Sequence, residues 1–225
     1  MPAMSTSKTA IAIDGPAASG KSSTAKAVAR ELGFRHVDSG SLYRAATAAR
    51  LRRDSDASTW SEDSVLDAAR SISLSPVENG FVPLLNGRPA DDEMRGDAVT
   101  HRVSTVAKMP RVREWVNAQV RATAKDYDVV VDGRDIGTVV FPAAKLKVYL
   151  VADAGERARR RVLERTGRDP SEEELFDETA RILLRDELDA SQSVKAANAV
   201  VIDTTRMTQA EQIAMIVQLA RNQSE

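Results

Sequence analysis

The feature that most constrains this 225-residue chain is the run GPAASGKS at residues 15–22. It matches the pattern G-x-x-x-x-G-K-[ST], in which glycines let backbone N–H groups turn inward around phosphate oxygens. The apolar run Ala10–Ile13 before it predicts a buried strand, and Ser23–Leu32 after it predicts a helix that ends at Gly33. We call residues 15–22 the phosphate loop. Its position between a strand and a helix favours phosphate binding over the alternative, a Gly/Ser-rich turn that only caps a helix.

The phosphate loop predicts a site for ATP and Mg²⁺. Unpaired N–H groups and the positive end of the helix dipole point at the bound anion. In such a loop Lys21 reaches the β- and γ-phosphates, and the Ser22 hydroxyl ligates Mg²⁺.

The remaining apolar runs predict an α/β fold with a five-stranded parallel sheet and helices on both faces. Strands are expected near residues 10, 34, 128, 147 and 200, with helical segments between them. Two apolar runs joined by turn residues, with a second Asn-Gly just beyond, predict a small antiparallel insert at residues 72–89. The segment from residue 156 to residue 189 reads as helix, break and helix, which is typical of a closing lid.

Composition excludes several classes of function. The net charge of −1 gives no general attraction to nucleic acid or to an anionic membrane. The chain has no cysteine, and its two histidines, His36 and His101, are far apart, so we expect both in loops or at the surface and no histidine-built zinc site. No apolar run is long enough to span a membrane or direct secretion, so we expect a cytoplasmic protein with a frayed amino terminus.

Two further polar segments follow predicted strands. Asp132 ends the run DYDVVVD and is expected to lie near the metal, although an aspartate at a strand end is often only a turn cap. Arg44 follows the strand FRHVD and a polar turn, where ligands gather in open α/β sheets; a solvated helical arginine is an equal alternative.

The many arginines of residues 157–168 and 181–185 alternate with acids, so most are expected to form a solvated helix face. Some of them, however, suit the transfer of a phosphoryl group between two polyanions, because guanidinium groups grip phosphate bidentately. If the acceptor is itself a phosphate, its attacking oxygen is already ionised and no general base is required. Positioning, charge stabilisation and exclusion of water then carry the reaction.

Motifs along nearly the whole chain resemble the bacterial cytidylate kinases, a family of nucleoside monophosphate kinases. The segment DGRDIGTVVFP after a phosphate loop is more specific to that family than the loop alone. The matching stretches are AIDGPAASGKSSTAKAVARELGF (12–34), VDSGSLYRA (37–45), LNGRPADDEMRGDAVTHRVSTVAKMPRVRE (85–114), VVVDGRDIGTVVFP (129–142), RARRR (157–161) and LLRDELDAS (183–191).

The resemblance implies phosphorylation of CMP or dCMP by ATP and Mg²⁺, giving CDP or dCDP, in pyrimidine nucleotide metabolism. It implies a core domain of residues 1–53, 127–156 and 190–225, an acceptor domain of residues 54–126 that carries the antiparallel insert, and a lid of residues 157–189. We expect a monomer whose partners are these nucleotides.

The resemblance also assigns site residues. The donor site would comprise Gly15, Pro16, Ala17, Ala18, Ser19, Gly20, Lys21, Ser22 and Ser23, with Arg157 in the lid over ATP. The acceptor site would comprise Ser39, Arg44, Ser104, Arg113, Asp132, Arg134, Arg185 and Asp189. Within it, Ser104 would contact cytosine, Arg113 the phosphate or base edge, and Asp189 the sugar hydroxyls. The residues expected to act in catalysis are Lys21, Asp132, Arg134 and Arg185.

One position departs from the family pattern. Three residues after Asp189 the family usually has an arginine, and this chain has Gln192. The following segment, Gln192–Ala199, also lacks the usual Pro-Leu. One cation of the acceptor site or lid is therefore missing, and Lys195 is a candidate to replace it.

Two other functions stay open from the sequence. One is a kinase for another small acceptor, uridylate or shikimate, against which the insert and the DGRD segment argue. The other is a nucleotide-dependent switch that hydrolyses ATP or GTP without an acceptor; it would need a base-reading motif such as N-K-x-D, which this chain lacks.

Overall fold

A mixed but mostly parallel sheet forms the centre of the molecule. The computed structural model describes residues 8–223. The predicted fraying of the amino terminus, and the outermost positions of the predicted core domain, fall outside that range. The strands are β1 (Ala10–Asp14), β2 (Arg35–Asp38), β3 (Ile72–Val77), β4 (Gly80–Leu85), β5 (Arg88–Pro89), β6 (Val129–Gly133), β7 (Leu146–Val151) and β8 (Val200–Asp203).

The helices lie between these strands and after the last one. In chain order they are α1 (Lys21–Leu32), α2 (Ser39–Leu51), α3 (Glu62–Ala69), α4 (Asp91–Arg95), α5 (Asp97–Thr100), α6 (Val103–Ala107), α7 (Pro110–Thr123), α8 (Ala154–Thr166), α9 (Glu172–Asp189) and α10 (Gln209–Asn222). Short 3₁₀ turns occupy Ala57–Thr59 and Ala190–Gln192, and a π-helical turn occupies Ile136–Val140.

The five predicted parallel strands lie side by side in the order β2-β6-β1-β7-β8. The expectation of a five-stranded sheet is nevertheless wrong, because the described sheet has eight strands. The predicted insert, β3 to β5, does not stand apart from the core. Its strand β4 continues the sheet beyond β2 through a single parallel pairing of Gly80 with His36.

Helices cover both faces of the sheet, as the apolar strands predict. Successive side chains of a strand point to opposite faces. On β1, Ile11 and Ile13 therefore pack with α1 and α10, whereas Ala12 packs with α2, α3, α6 and α7. On β6, Val130 faces the first group of helices and Val129 and Val131 face the second. Burial on both faces explains why these strands read as nearly unbroken apolar runs.

Tight turns set the register of the insert. Asn86 and Gly87 both have positive φ, 52° and 75°, and join β4 to β5 between the paired residues Leu85 and Arg88. This is the backbone that Asn-Gly favours in a two-residue hairpin. Strands β3 and β4 pair antiparallel, from Ile72 opposite Leu85 to Val77 opposite Gly80, which confirms the antiparallel insert predicted at residues 72–89.

Helices α8 and α9 run from the end of β7 and pack against each other. Gly167, with φ of 74°, ends α8, and Ser171 with Glu174 forms a capping box that begins α9. The predicted pattern of helix, break and helix is confirmed at this level. Whether the pair acts as a lid stays a prediction.

Gly80 offers a test of how the insert joins the core. A Cβ at this position would lie 2.5 Å from the backbone oxygen of His36, which is too close for any real contact. We expect Gly80→Ala to lower the free energy of unfolding by about 1–3 kcal/mol, as overpacking does, and to lower Tm by several degrees. Thermal denaturation followed by circular dichroism measures this effect. Glu78→Ala, at an exposed position of the same turn, is the control, and equal melting of the two variants would contradict the close approach.

Candidate active site

A cleft of about 910 Å³ opens at the carboxyl ends of the central parallel strands. It brings together the phosphate loop after β1, the turn after β2 and the loop after β6. Most residues predicted for the two binding sites line it: Ala17, Ala18, Ser19, Gly20, Lys21, Ser22, Ser23, Ser39, Arg44, Ser104, Arg113, Asp132, Arg134, Arg185 and Asp189. Gly15, Pro16 and Arg157 do not line it.

The phosphate loop has the strained backbone that its sequence predicts. Gly15 has φ of 152°, and a Cβ there would lie 2.2 Å from the backbone oxygen of Leu150, so only glycine fits. The amine of Lys21 donates to the carbonyl oxygen of Pro16 at 2.7 Å. Burial, together with the like charge of Arg134, holds the pKa of Lys21 well below its usual value. The buried hydroxyl of Ser19 has no hydrogen-bond partner among the described residues.

Asp132 lies at the carboxyl end of β6 and is bound on both sides. Its Oδ2 accepts a hydrogen bond from Ser22 Oγ at 2.5 Å, and its Oδ1 lies 2.7 Å from Nε2 of His36. Burial would raise the pKa of Asp132, but the hydrogen bond and charge of His36, with Ser22 and Lys21, outweigh burial and lower it. Burial works against the charged form of His36, yet its contacts with Asp132 raise the pKa of the ring.

The expected location of His36 is therefore wrong. It lies on β2 with its side chain 13% exposed, where it contacts an acid of the cleft. The other histidine, His101, is exposed as expected. The sequence carried one usable signal for His36: alternation along a strand puts residues 36 and 38 on the same face, and residue 38 is followed at once by the polar turn.

Three arginines that line the cleft lie close to one another. Arg134 forms an ion pair with Asp189 at 3.1 Å and donates to the carbonyl oxygen of Gly15 at 3.1 Å. Arg185 lies 3.8 Å from the same Asp189 oxygen. Within residues 8–223, Arg44 donates to two uncharged oxygens, those of Met94 and Thr100, each at 3.0 Å. Burial, and the like charges of Arg134 and Arg44, lower the pKa of Arg185 to about 10.

Arg113 and Asp135 form a close ion pair at another part of the cleft wall. The guanidinium of Arg113 also lies 5.7 Å from the ring centroid of Tyr43, and Ser104 lines the same cleft. The sequence predicted Arg113 and Ser104 but not Asp135. Asp135 belongs to the DGRD segment, and its position two residues after the end of β6 is the signal that could have indicated it.

Arg157 supports the phosphate loop from behind and does not face the cleft. Its side chain is 6% exposed, donates to the carbonyl oxygen of Ala17 at 2.9 Å and pairs with Asp186 at 2.6 Å. Asp186 in turn accepts from the Ala17 N–H at 3.2 Å. We expected Arg157 to lie over ATP, but in the structure it lies behind the phosphate loop. The α8 arginines that do line the cleft are Arg160, Arg161 and Arg165.

Three of the arginines expected on a solvated helix face share a buried partner, although Arg165 and Arg181 are themselves exposed as expected. Glu178, on α9, is only 3% exposed, and Arg161, Arg165 and Arg181 lie 3.1, 3.3 and 3.6 Å from it. Gln192 lines the cleft and lies 3.5 Å from Arg113. Lys195, the candidate to replace the missing cation, is exposed and does not line the cleft.

Asp14 joins the two loops that carry the site. It ends β1, and its two carboxylate oxygens accept hydrogen bonds from the backbone N–H groups of Ile136 and Gly137 at 2.9 and 2.8 Å. The side chain is almost fully buried, and burial raises its pKa to about 6 in spite of these two bonds. The phosphate loop begins at the next residue, so this carboxylate holds the Arg134–Gly137 loop against it.

These features define a class: a parallel α/β sheet with a phosphate loop and a cluster of arginines facing it is the arrangement of a phosphoryl-transfer enzyme. Comparison with known proteins specifies the family. A family model described as cytidylate kinase matches residues 11–222. The chain belongs to the cytidylate kinase family.

Individual relatives agree with that assignment. The chain is 45% identical over 217 residues to a cytidylate kinase of Geobacillus kaustophilus, with 93% of this chain and 95% of the relative covered. It is 40% identical over 222 residues to a cytidylate kinase of Chloroherpeton thalassium, with 96% and 94% covered. Among solved structures, an uncharacterised protein of Eubacterium ventriosum shares the fold, with a TM-score of 0.52, 12% identity, and 96% of this chain and 99% of that chain covered. No helix within residues 8–223 is long and apolar enough to cross a membrane.

The raised pKa of Asp14 predicts a specific pH dependence of stability. Between about pH 4 and pH 6 the folded protein keeps a proton on Asp14 that the unfolded chain has released. The stabilising contribution of this group is therefore complete below about pH 4 and is lost as the pH rises through 6. We expect the free energy of unfolding of the wild type relative to Asp14→Asn to fall across that window, by about 3 kcal/mol at most, and to be constant above it.

Urea denaturation at intervals from pH 4.5 to pH 7.5 measures this difference. Asp126→Asn, which removes one exposed carboxylate, controls for the loss of a charge. Parallel stability curves for the wild type and Asp14→Asn would show that Asp14 does not bind a proton in this range.

Proposed function

We propose that this chain carries out the reaction of its family through the cleft described above: it transfers the γ-phosphoryl group of ATP to CMP, giving ADP and CDP, and accepts dCMP as well. The observation that carries the proposal is the joining of two anion sites in one cleft. Lys21 with the phosphate loop forms one site, and the arginine cluster forms the other. Within that cluster, Arg134 and Arg185 pair with Asp189, and Arg44 donates to the uncharged oxygens of Met94 and Thr100.

The donor end suits a nucleoside triphosphate. The loop before α1 supplies inward N–H groups and the positive end of the helix dipole. The unpartnered hydroxyl of Ser19 is a further donor that a phosphate oxygen would satisfy. Lys21 would exchange its contact with the Pro16 carbonyl oxygen for the β- and γ-phosphates.

Mg²⁺ fits the oxygen atoms that lie beside the loop. Ser22 Oγ and Asp132 Oδ2, 2.5 Å apart, are the hard donors that this ion prefers, and no cluster of three His, Cys, Asp or Glu side chains competes for it within residues 8–223. A site with so few protein ligands suits an ion that keeps waters and binds phosphates. When bound there, the ion would neutralise charge on the β- and γ-phosphates. Ser22 would hold it directly, and Asp132 would orient Ser22 and the waters.

The acceptor end suits a phosphate monoester. The phosphate of a nucleoside monophosphate is already ionised at neutral pH, so it attacks without a general base. Arg44, Arg134 and Arg185 would hold that phosphate in line with the donor and stabilise charge on the transferred group. Burial is the main cause of the lowered pKa of Arg185, and the like charges of Arg134 and Arg44 add to it; a bound anion would relieve that repulsion.

The pair of Arg113 and Asp135 supports a cytosine-type base. Cytosine has ring and carbonyl acceptors next to an exocyclic amino donor. A guanidinium donates to the acceptors, and an aspartate accepts from the amino group. Uracil, which has a carbonyl oxygen in place of that amino group, would face the Asp135 carboxylate with repulsion. Ser104 and the sugar contact of Asp189 complete the proposed acceptor site.

The division into domains is part of the same proposal. Residues 1–53, 127–156 and 190–225 would form the core, residues 54–126 the acceptor domain and residues 157–189 the lid. Because α8 and α9 pack mainly on each other and present Arg161 and Arg165 to the cleft, a movement of this pair would bring cations over ATP and exclude water.

Acceptor profiling tests the function. With Mg²⁺–ATP as donor, a coupled assay of ADP release is run with CMP, dCMP, UMP, AMP and shikimate. We expect kcat/KM for CMP to exceed the value for UMP by about tenfold, since uracil leaves Asp135 unpaired, an unsatisfied buried group costs about 1–3 kcal/mol, and about 1.4 kcal/mol is a factor of ten. Equal or faster reaction with UMP or shikimate would assign a different acceptor. ATP or GTP hydrolysis that CMP does not affect would indicate a nucleotide-dependent switch.

Lys21→Ala tests the role of the phosphate loop. We expect kcat for CMP phosphorylation to fall by at least about 100-fold, as when one transition-state donor is removed, while thermal unfolding stays cooperative. Lys26→Ala, an exposed lysine on the same helix outside the cleft, is the matched control and should keep wild-type rates. Retained turnover in Lys21→Ala would remove the phosphate loop from the mechanism.

A further inference from the structure

His36 contacts the centre of the proposed reaction without lining the cleft. Its Nε2 lies 2.7 Å from Asp132 Oδ1. An ionised carboxylate can only accept hydrogen bonds, so Nε2 carries the hydrogen in this contact. The other oxygen of Asp132 accepts from Ser22 Oγ at 2.5 Å. The two carboxylate oxygens are thus assigned to different partners, and the Asp132 side chain is 3% exposed, with little room to rotate.

Strand pairing explains why His36 reaches Asp132. Strands β2 and β6 are parallel neighbours in which His36 pairs with Val130 and Asp38 pairs with Asp132. The side chains of His36 and Asp132 therefore lie on the same face of the sheet, and the two residues are offset by two positions along the strands. From this position the imidazole ring spans the gap along the sheet.

The backbone of His36 is fixed on its other side by the insert. The N–H of His36 donates to the Asn79 carbonyl oxygen at 3.1 Å, and Gly80 lies directly against the carbonyl group of His36. The ring is therefore attached to a rigid strand position, and the insert helps to hold it. A side chain held in this way can orient its neighbour.

We infer that His36 is a positioning residue for phosphoryl transfer, whose Nε2–H fixes the Asp132 carboxylate so that the opposite oxygen stays on Ser22, the hydroxyl proposed to bind Mg²⁺. The inference rests on the proposed function. Partners behind a metal-binding group orient it in this way, and their loss commonly costs 10–100-fold in metal affinity or activity. Without His36 the carboxylate is free to turn and the Ser22 hydroxyl loses its fixed direction.

Two amide substitutions separate the hydrogen bond from packing. The side-chain nitrogen of glutamine occupies about the position of histidine Nε2, whereas asparagine is one methylene shorter and does not reach Asp132. We therefore compare His36→Gln with His36→Asn. His101→Asn, at the exposed histidine outside the cleft, is the control for the loss of a histidine.

The first measurement does not depend on turnover. Mn²⁺ replaces Mg²⁺, and its binding to the protein–ADP complex is followed by electron paramagnetic resonance. We expect His36→Asn to weaken Mn²⁺ binding by about tenfold, and His36→Gln and His101→Asn to stay within about threefold of the wild type. Steady-state kinetics supply the second measurement. For His36→Asn we expect kcat to fall by about tenfold with KM for CMP unchanged, because the arginines proposed to hold the CMP phosphate, Arg44, Arg134 and Arg185, make their described contacts with groups other than His36.

Two results would overturn the inference. One is wild-type Mn²⁺ binding and kcat in His36→Asn. The other is an equal loss in His36→Asn and His36→Gln, which would assign the effect to the ring and not to its hydrogen bond. If His36→Asn does not fold, the comparison of His36→Gln with the wild type decides by itself, since a loss beyond threefold in Mn²⁺ binding contradicts the inference.

The results expected if the proposed function is wrong differ from those expected if the His36 inference is wrong. A wild-type protein that binds Mn²⁺–ADP but does not phosphorylate CMP removes the acceptor assignment, and the His36 dependence of Mn²⁺ binding then still supports the role at the metal. Normal CMP phosphorylation with no effect of any His36 substitution removes the inference alone.

Discussion

The parallel pairing of β1 with β6 is the interaction on which the rest of the site depends. It places Ile13 opposite Asp132 and Asp14 opposite Gly133, so the phosphate loop and the DGRD segment leave the sheet side by side. Asp14 then ties the two loops together with hydrogen bonds to two backbone N–H groups. Two segments about 120 residues apart in the sequence thereby form one cleft, because parallel strands end at the same edge of a sheet.

The charged groups of this cleft favour the binding of an anionic ligand and lower the stability of the free protein. Burying Arg44, Arg134 and Arg185 near one another costs free energy, since like charges repel and each guanidinium loses water. Asp189 compensates for only part of that cost. The phosphate loop likewise holds a buried lysine and an unpartnered hydroxyl. Two anionic phosphates would supply the missing partners, so the same groups that strain the free site favour its complex.

The sequence was informative where a local pattern carries the physics. The five parallel strands, the Asn-Gly hairpin and the helix, break and helix of residues 156–189 could be predicted, because apolar alternation, positive φ and helix-breaking residues act over a few residues. Most of the predicted site residues line the cleft, although the cleft also has many lining residues that no local pattern indicated. The predictions that were wrong involve partners distant in the chain. Arg157 faces Asp186 behind the loop, His36 faces Asp132, and the insert joins the main sheet through a single residue pair. Local patterns do not identify the partner in any of these contacts; for His36, strand alternation indicates the face of the sheet but not Asp132.

By itself, the sequence determined that this chain forms a parallel α/β sheet with a phosphate loop, and its motifs were sufficient to place it in its family. Backbone dihedrals and side-chain alternation, which require only near neighbours, account for this. Only the tertiary structure decided which charges meet: that Arg113 pairs with Asp135, that Glu178 gathers three arginines on α8 and α9, and that His36 supports Asp132. The strength of a charge interaction depends on distance through space and on burial, and neither quantity exists until the strands have paired.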